Sequence, residues 1–168
     1  MSTPCVSSQY RCPVKGSYVV ALAASARSAG QGQLLAAAVA NPPPGESTVE
    51  VLDVGTLKRL HSVRGHASAG GVSDLSFLSN PASSLLTCGA DNVAKLWDLR
   101  ASSSQAQRTL RPSATGVVTG SEPLLSVSAD CEGRLCACAV SMQVHMFDLA
   151  SGKELFTHAE AHSQPISR

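Results

Sequence analysis

Cys88, His66 and Asp91 are residue types that together could run nucleophilic chemistry. A thiol would attack, an imidazole would take its proton, and a carboxylate would orient the imidazole. The same residues have a structural use. An indole offers only an N–H donor, so a buried Trp97 needs an acceptor, and His66 can orient between its strand and the Asp91 turn. Position favours the structural use: Cys88 falls inside the strand-like run Leu85–Gly89, away from an open cleft.

The other chemistry-bearing groups are sparse. The six cysteines are Cys5, Cys12, Cys88, Cys131, Cys136 and Cys138, and none forms a CxxC pair. Zinc sites need ligand pairs two to four residues apart in two sets, so no metal and no cofactor is expected. Cys136 and Cys138 are close, and in a strand both side chains point to one face, as small hydrophobes. Lys58, Arg59, His61, Arg64 and His66 form a basic stretch. It reads as a solvated strand and turn, because no aromatic platform for base stacking accompanies it; nucleic acid is therefore an unfavoured partner. The net charge of +1 supplies no global field toward nucleic acid or acidic lipid. No run reaches 18 apolar residues, so no membrane span is expected.

The elements that must position these groups are short strands. Charged residues make up 15% and hydrophobic ones 43%, which excludes broad disorder, and helical periodicity is poor throughout. One set of four strands reads Tyr18–Ala24, Gln33–Ala40, Val49–Val54 and Leu57–Val63. A second reads Val72–Phe77, Leu85–Gly89, Val93–Asp98 and Ala106–Leu110. A third reads Leu124–Ala129, Arg134–Val140, Gln143–Asp148 and Glu154–Thr157. The third strand of each set ends alike, in Leu52-Asp53, Trp97-Asp98 and Phe147-Asp148. Those aspartates lie 45 and 50 residues apart (98 − 53 and 148 − 98), the spacing of a four-stranded propeller blade.

Gly65-His66, the run Leu85–Asp91 and Lys95-Leu96-Trp97-Asp98 together resemble one full WD repeat, with the degenerate pairs Leu52-Asp53 and Phe147-Asp148 marking its neighbours. Leu60–Leu110 and the ending Glu160-Ala161-His162-Ser163 also look similar to one individual member of that family. The resemblance implies an all-β fold, a partial WD-repeat β-propeller of three four-stranded antiparallel blades plus the start of a fourth. It implies a hydrogen-bonded chain of His66, Asp91 and Trp97, with the hydroxyl place on Cys88 or its neighbour Thr87. Cys88 and Asp98 are counted with this repeat network. It implies a non-catalytic scaffold for protein–protein assembly. A narrower implication comes from Trp97-Asp98-Leu99-Arg100: substrate receptors of cullin-4 ubiquitin ligases often carry Trp-Asp-x-Arg, with the arginine meeting the ligase adaptor, which makes Arg100 a candidate partner contact. A nucleic-acid-associated assembly factor is the remaining alternative.

The expected organisation is an N-terminal segment 1–16 containing a candidate closing strand, Gln9–Val14, then blades over 17–64, 65–111 and 112–161, and a fourth beginning at 162–168. Loops Asn41–Glu46, Gly65–Gly71, Ala90–Asn92 and Arg111–Glu122 are the expected contact surface. A closed propeller commonly needs about seven blades. Two open faces of on the order of 400 Å² of apolar area would each forgo about 10 kcal/mol. Further blades, self-association or a partner are therefore expected to cover them. A reducing cytoplasmic or nuclear location follows from the cysteine usage. The basic, acid-poor stretch before Glu46 also fits an organelle transit peptide, less well than it fits ordinary strands.

Overall fold

Alternation along each strand decides which side chains meet. In the computed structural model the described residues are 15–25, 32–41, 46–66, 71–79, 83–101, 105–113, 122–164 and 166. They form twelve strands: β1 (Tyr18–Ala24), β2 (Leu34–Asn41), β3 (Glu46–Asp53), β4 (Arg59–Val63), β5 (Val72–Phe77), β6 (Ser84–Gly89), β7 (Ala94–Asp98), β8 (Arg108–Leu110), β9 (Leu124–Ala129), β10 (Leu135–Val140), β11 (Gln143–Asp148) and β12 (Glu154–His158). They build three antiparallel sheets in sequence order, β1–β4, β5–β8 and β9–β12. The all-β fold of three four-stranded blades is thus present. No helix occurs among the described residues, so none is long and apolar enough to cross a membrane. The candidate closing strand Gln9–Val14 lies outside the described residues, as do 42–45, 67–70 and most of the Arg111–Glu122 loop.

The first strands β1, β5 and β9 lie side by side, so the three sheets fan out from one line. The middle sheet is covered on both faces. Pairing sets Leu85 opposite Trp97 and Thr87 opposite Lys95 on one face, and Leu86 opposite Leu96 and Cys88 opposite Ala94 on the other. The first face packs Leu85 and Trp97 against Ala36, Ala38, Val49 and Val51 of the first sheet. The second packs Leu86, Cys88 and Leu96 against Val127, Cys136, Cys138 and Phe147 of the third. Fully burying a leucine stabilises by about 1.5–3 kcal/mol, and alanines in β2 let the first two sheets approach closely.

Cys136 and Cys138 do share one face, and with Cys88 they are buried as small hydrophobes between the second and third sheets. The outer face of the third sheet instead carries the cross-strand row Ala137, Met146 and Phe156, with Phe156 49% exposed.

Candidate functional site

The polar centre of the middle sheet is a chain of four side chains. His66 comes from the segment between β4 and β5, Thr87 from β6, Asp91 from the β6–β7 turn and Trp97 from β7. Trp97 Nε1 donates to Thr87 Oγ1 at 2.9 Å. Thr87 Oγ1 lies 2.8 Å from His66 Nε2, and His66 Nδ1 lies 2.7 Å from an Asp91 oxygen. One assignment of protons satisfies every group. The indole N–H gives to the Thr87 oxygen, the Thr87 hydroxyl gives to His66 Nε2, and His66 Nδ1–H gives to the Asp91 carboxylate. It requires a neutral imidazole, and burial, opposed by the Asp91 carboxylate, holds the His66 pKa below its usual 6.5. Lys95 joins the far end, reaching the Gly65 carbonyl and, at 3.5 Å, the second Asp91 oxygen.

Two glycines make room for the chain. A Cβ at Gly65 would overlap the Trp97 ring. A Cβ at Gly89 would overlap the Gly71 carbonyl and come within 2.8 Å of His66 Nδ1. The Gly65-His66 pair therefore works as a unit: the first residue admits the indole, and the second closes the chain.

The hydroxyl is Thr87 and not Cys88. Successive strand residues point to opposite faces, and Thr87 shares the face of Trp97 while Cys88 points into the third sheet, with Sγ 3.9 Å from the Leu124 carbonyl. The Cys88–His66–Asp91 arrangement is thereby broken. Thr87, His66 and Asp91 do stand in the order of a hydrolase triad. However, Thr87 is 0% exposed and its oxygen already accepts the Trp97 N–H, so no substrate carbonyl reaches it. Asp98 is also outside the chain. Its carboxylate sits in the β7–β8 turn, accepting the Arg100 backbone N–H at 3.0 Å and the guanidinium at 3.1 and 3.0 Å. The guanidinium and that backbone bond hold the Asp98 pKa below its usual value.

Asp53 and Asp148 occupy the same turn in their own sheets. Asp53 accepts both the backbone N–H and the hydroxyl of Thr56 at 2.8 Å, and Asp148 does the same with Ser151 at 2.6 Å. The ending common to the three sets is thus a turn device, in which a carboxylate ties down the chain as it enters the fourth strand.

The basic stretch is divided. His66 is buried and neutral, and Arg59 pairs with Glu50 at 3.3 Å, which leaves Lys58 and Arg64 as its exposed charges without an ion pair among the described residues. Strand alternation applied to the β6–β7 hairpin carries the signal that separates Thr87 from Cys88. Lys95 enters the sequence reading only as a member of Lys95-Leu96-Trp97-Asp98, since a lysine two residues before a tryptophan has no spacing that marks its bond to the Gly65 carbonyl.

A family model described as WD domain, G-beta repeat matches residues 57–98. The matched span starts just before β4 and runs through β7, so one sequence repeat joins the outer strand of one sheet to three strands of the next. With three four-stranded sheets, it supports a WD-repeat protein with a propeller-like arrangement, and such repeats serve in general as scaffolds for protein–protein interaction. None of the curated proteins matches the chain, and the likeness to one individual member finds no support.

Proposed function

We propose that this WD-repeat protein is a non-catalytic scaffold that assembles protein partners. One observation carries the reading: Thr87, His66 and Asp91, the residues that stand in hydrolase order, are engaged with Trp97 in one chain that bridges strand, turn and loop, and Cys88 is buried on the opposite face. The outer face of the third sheet supports it, because Ala137, Met146 and Phe156 form an apolar row that further sheet, a second copy or a partner would cover. The test is isolation of tagged protein from cells with chemical cross-linking. The expected result is a stoichiometric complex cross-linked through the loops and the third sheet. A dispersed monomer that binds no hydrophobic dye and cross-links to nothing contradicts the reading.

A second, narrower reading is a substrate receptor of a cullin-4 ligase. Within Trp97-Asp98-Leu99-Arg100 the Trp and Leu are buried, while the Arg100 side chain is 65% exposed and aimed by Asp98. A pull-down with purified adaptor should succeed with the wild-type chain and fail with Arg100→Ala; retention by the variant removes this reading. A nucleic-acid-associated role ranks below both, because burial of His66 and pairing of Arg59 shrink the basic stretch.

A further inference from the structure

A cleft of about 230 Å³ opens between the second and third sheets, where the β7–β8, β9–β10 and β11–β12 turns meet. Its floor is apolar, formed by Leu78, Leu96 and Leu149, and its rim carries Arg100, Arg108 and Arg134. Arg100 and Arg108 flank the β7–β8 connection of the second sheet, and packing of the third sheet against it brings in Arg134, which precedes β10. All three are exposed, against a single lining carboxylate, Asp98, which Arg100 already engages. The neighbouring Asp130 and Asp148 bond within their own turns, Asp130 accepting the Arg134 and Leu135 backbone N–H groups and Asp148 accepting from Ser151, while the Arg134 and Arg108 charges act on them through space without a direct side-chain hydrogen bond. Arg108 is steadied by the Ala150 carbonyl at 2.6 Å. The Arg134 guanidinium makes no hydrogen bond or ion pair among the described residues.

We infer that this cleft docks an acidic peptide segment of a partner protein, seating one leucine-sized side chain on Leu78, Leu96 and Leu149 while flanking carboxylates pair with Arg108 and Arg134. The inference rests on the scaffold reading and names the partner chemistry of one surface. A guanidinium meets a carboxylate in two parallel hydrogen bonds, so arginines spaced around an apolar floor favour acid–apolar–acid over an all-charged segment. No aromatic side chain lines the cleft, so it offers no stacking platform for a nucleic acid base. Rim charges act mainly on association rate and salt dependence, while the apolar anchor sets residence.

The experiment is fluorescence anisotropy of the whole purified chain with three labelled probes: Glu-Asp-Leu-Asp-Glu, its lysine-flanked counterpart Lys-Lys-Leu-Lys-Lys, and a single-stranded oligonucleotide. Expected are saturable binding of the acidic probe, weakening with salt, and at least tenfold weaker binding of the lysine probe. Arg108→Glu with Arg134→Glu should also cost at least tenfold. Arg134→Gln, which disturbs no hydrogen bond in the described structure, should cost about threefold, the loss of one partly screened pair. Trp97 fluorescence in each variant reports that the fold is retained. No saturable binding, equal affinity for both peptides, or indifference to both arginine variants overturns the inference. So does an oligonucleotide that binds in place of the acidic peptide. If the acidic probe fails while the chain still enters its cross-linked complex, the cleft assignment falls and the scaffold reading stands.

Discussion

The second and third sheets share strand order and the aspartate turn, yet their buried centres are opposite in kind. In the second sheet Leu85 pairs with Trp97 and Thr87 with Lys95; in the third, Cys136 pairs with Phe147 and Cys138 with His145. Phe147 thus takes the place of Trp97, and Cys138 that of Thr87. The donor and its acceptor are lost together, since a phenyl ring leaves no N–H to satisfy and a thiol in contact with apolar neighbours leaves little unmet. The second sheet is held by a polar chain; in the third, the positions of Trp97 and Thr87 are filled by packing. Third-sheet polarity lies one strand pair along, between β11 and β12: buried His145 Nδ1–H donates to Glu154 at 2.6 Å, and the Thr157 hydroxyl donates to the same carboxylate oxygen. Glu50, Arg59 and Ser62 repeat that arrangement in the first sheet at the same offsets, nine (154 − 145 and 59 − 50) and twelve (157 − 145 and 62 − 50). Between these two sheets the indole donor and its hydroxyl acceptor change together while the turn carboxylate stays, yet the exchange is incomplete: among the described residues the buried His145 Nε2 finds no hydrogen-bond partner.

The largest expected effects would erase the contrast. Trp97→Ala and Phe147→Ala should each destabilise by about 3–5 kcal/mol, a buried aromatic truncated in either setting, read by urea unfolding followed by circular dichroism. An unchanged midpoint for Trp97→Ala would mean that the indole is not a core group.

Exchanging the aromatics should sharpen it. Phe147→Trp buries an N–H without a hydroxyl to receive it and should cost about 1–3 kcal/mol before any overpacking. Trp97→Phe loses one hydrogen bond and should cost about 0.5–1.5 kcal/mol. Equal costs in the two directions would contradict the view that the sheets differ in polar partners.

Within the polar chain, His66→Ala and Asp91→Ala should each cost about 1–3 kcal/mol, and together less than their sum. Strict additivity in the cycle would argue that the two side chains act separately.

The smallest effect is a pH dependence with two windows. His66 resists protonation when folded, so the unfolded chain binds the extra proton and stability falls as pH drops below 6.5. That decline belongs to the second sheet and should vanish in His66→Gln. Burial would raise the Glu154 pKa, but hydrogen bonds from Thr157, His145 and Ser113 outweigh it and bring it to about 2. Its contribution is therefore present above the usual 4.5 and is lost as pH falls from there toward 2. A stability profile flat between pH 7 and 5 would contradict the neutral His66.

Much of the architecture was legible because the strands are short, apolar and punctuated. Tyr18–Ala24, Val72–Phe77, Leu124–Ala129 and Gln143–Asp148 have the bounds their composition suggests. The loop reads as Asn41–Glu46 and the next strand as starting at Val49, yet β3 begins at Glu46, because β2 pairs with it as far as Asn41 opposite Glu46. Polar residues next to a proline run hide a strand whose partner extends that far. In the site, His66, Asp91 and Trp97 were readable from types and spacing, whereas Cys88 was the wrong member of an adjacent pair. A one-residue step changes the face, and only the pairing of β6 with β7 fixes which residue looks toward the indole. The arginine cleft was not legible, since Arg134 meets Arg100 and Arg108 only through the packing of two sheets.

The most direct test of the polar chain is a pair of double-mutant cycles measured by chemical unfolding. One combines Thr87→Val with Trp97→Phe, and the other combines Cys88→Ala with Trp97→Phe. Valine keeps the shape of threonine and removes only the hydroxyl, so the first cycle isolates the bond between Thr87 and the indole. The predicted coupling is about 0.5–3 kcal/mol for Thr87 and near zero for Cys88, which lies on the opposite face. Coupling at Cys88 with none at Thr87 would contradict the account, because it would place the thiol rather than the hydroxyl against Trp97.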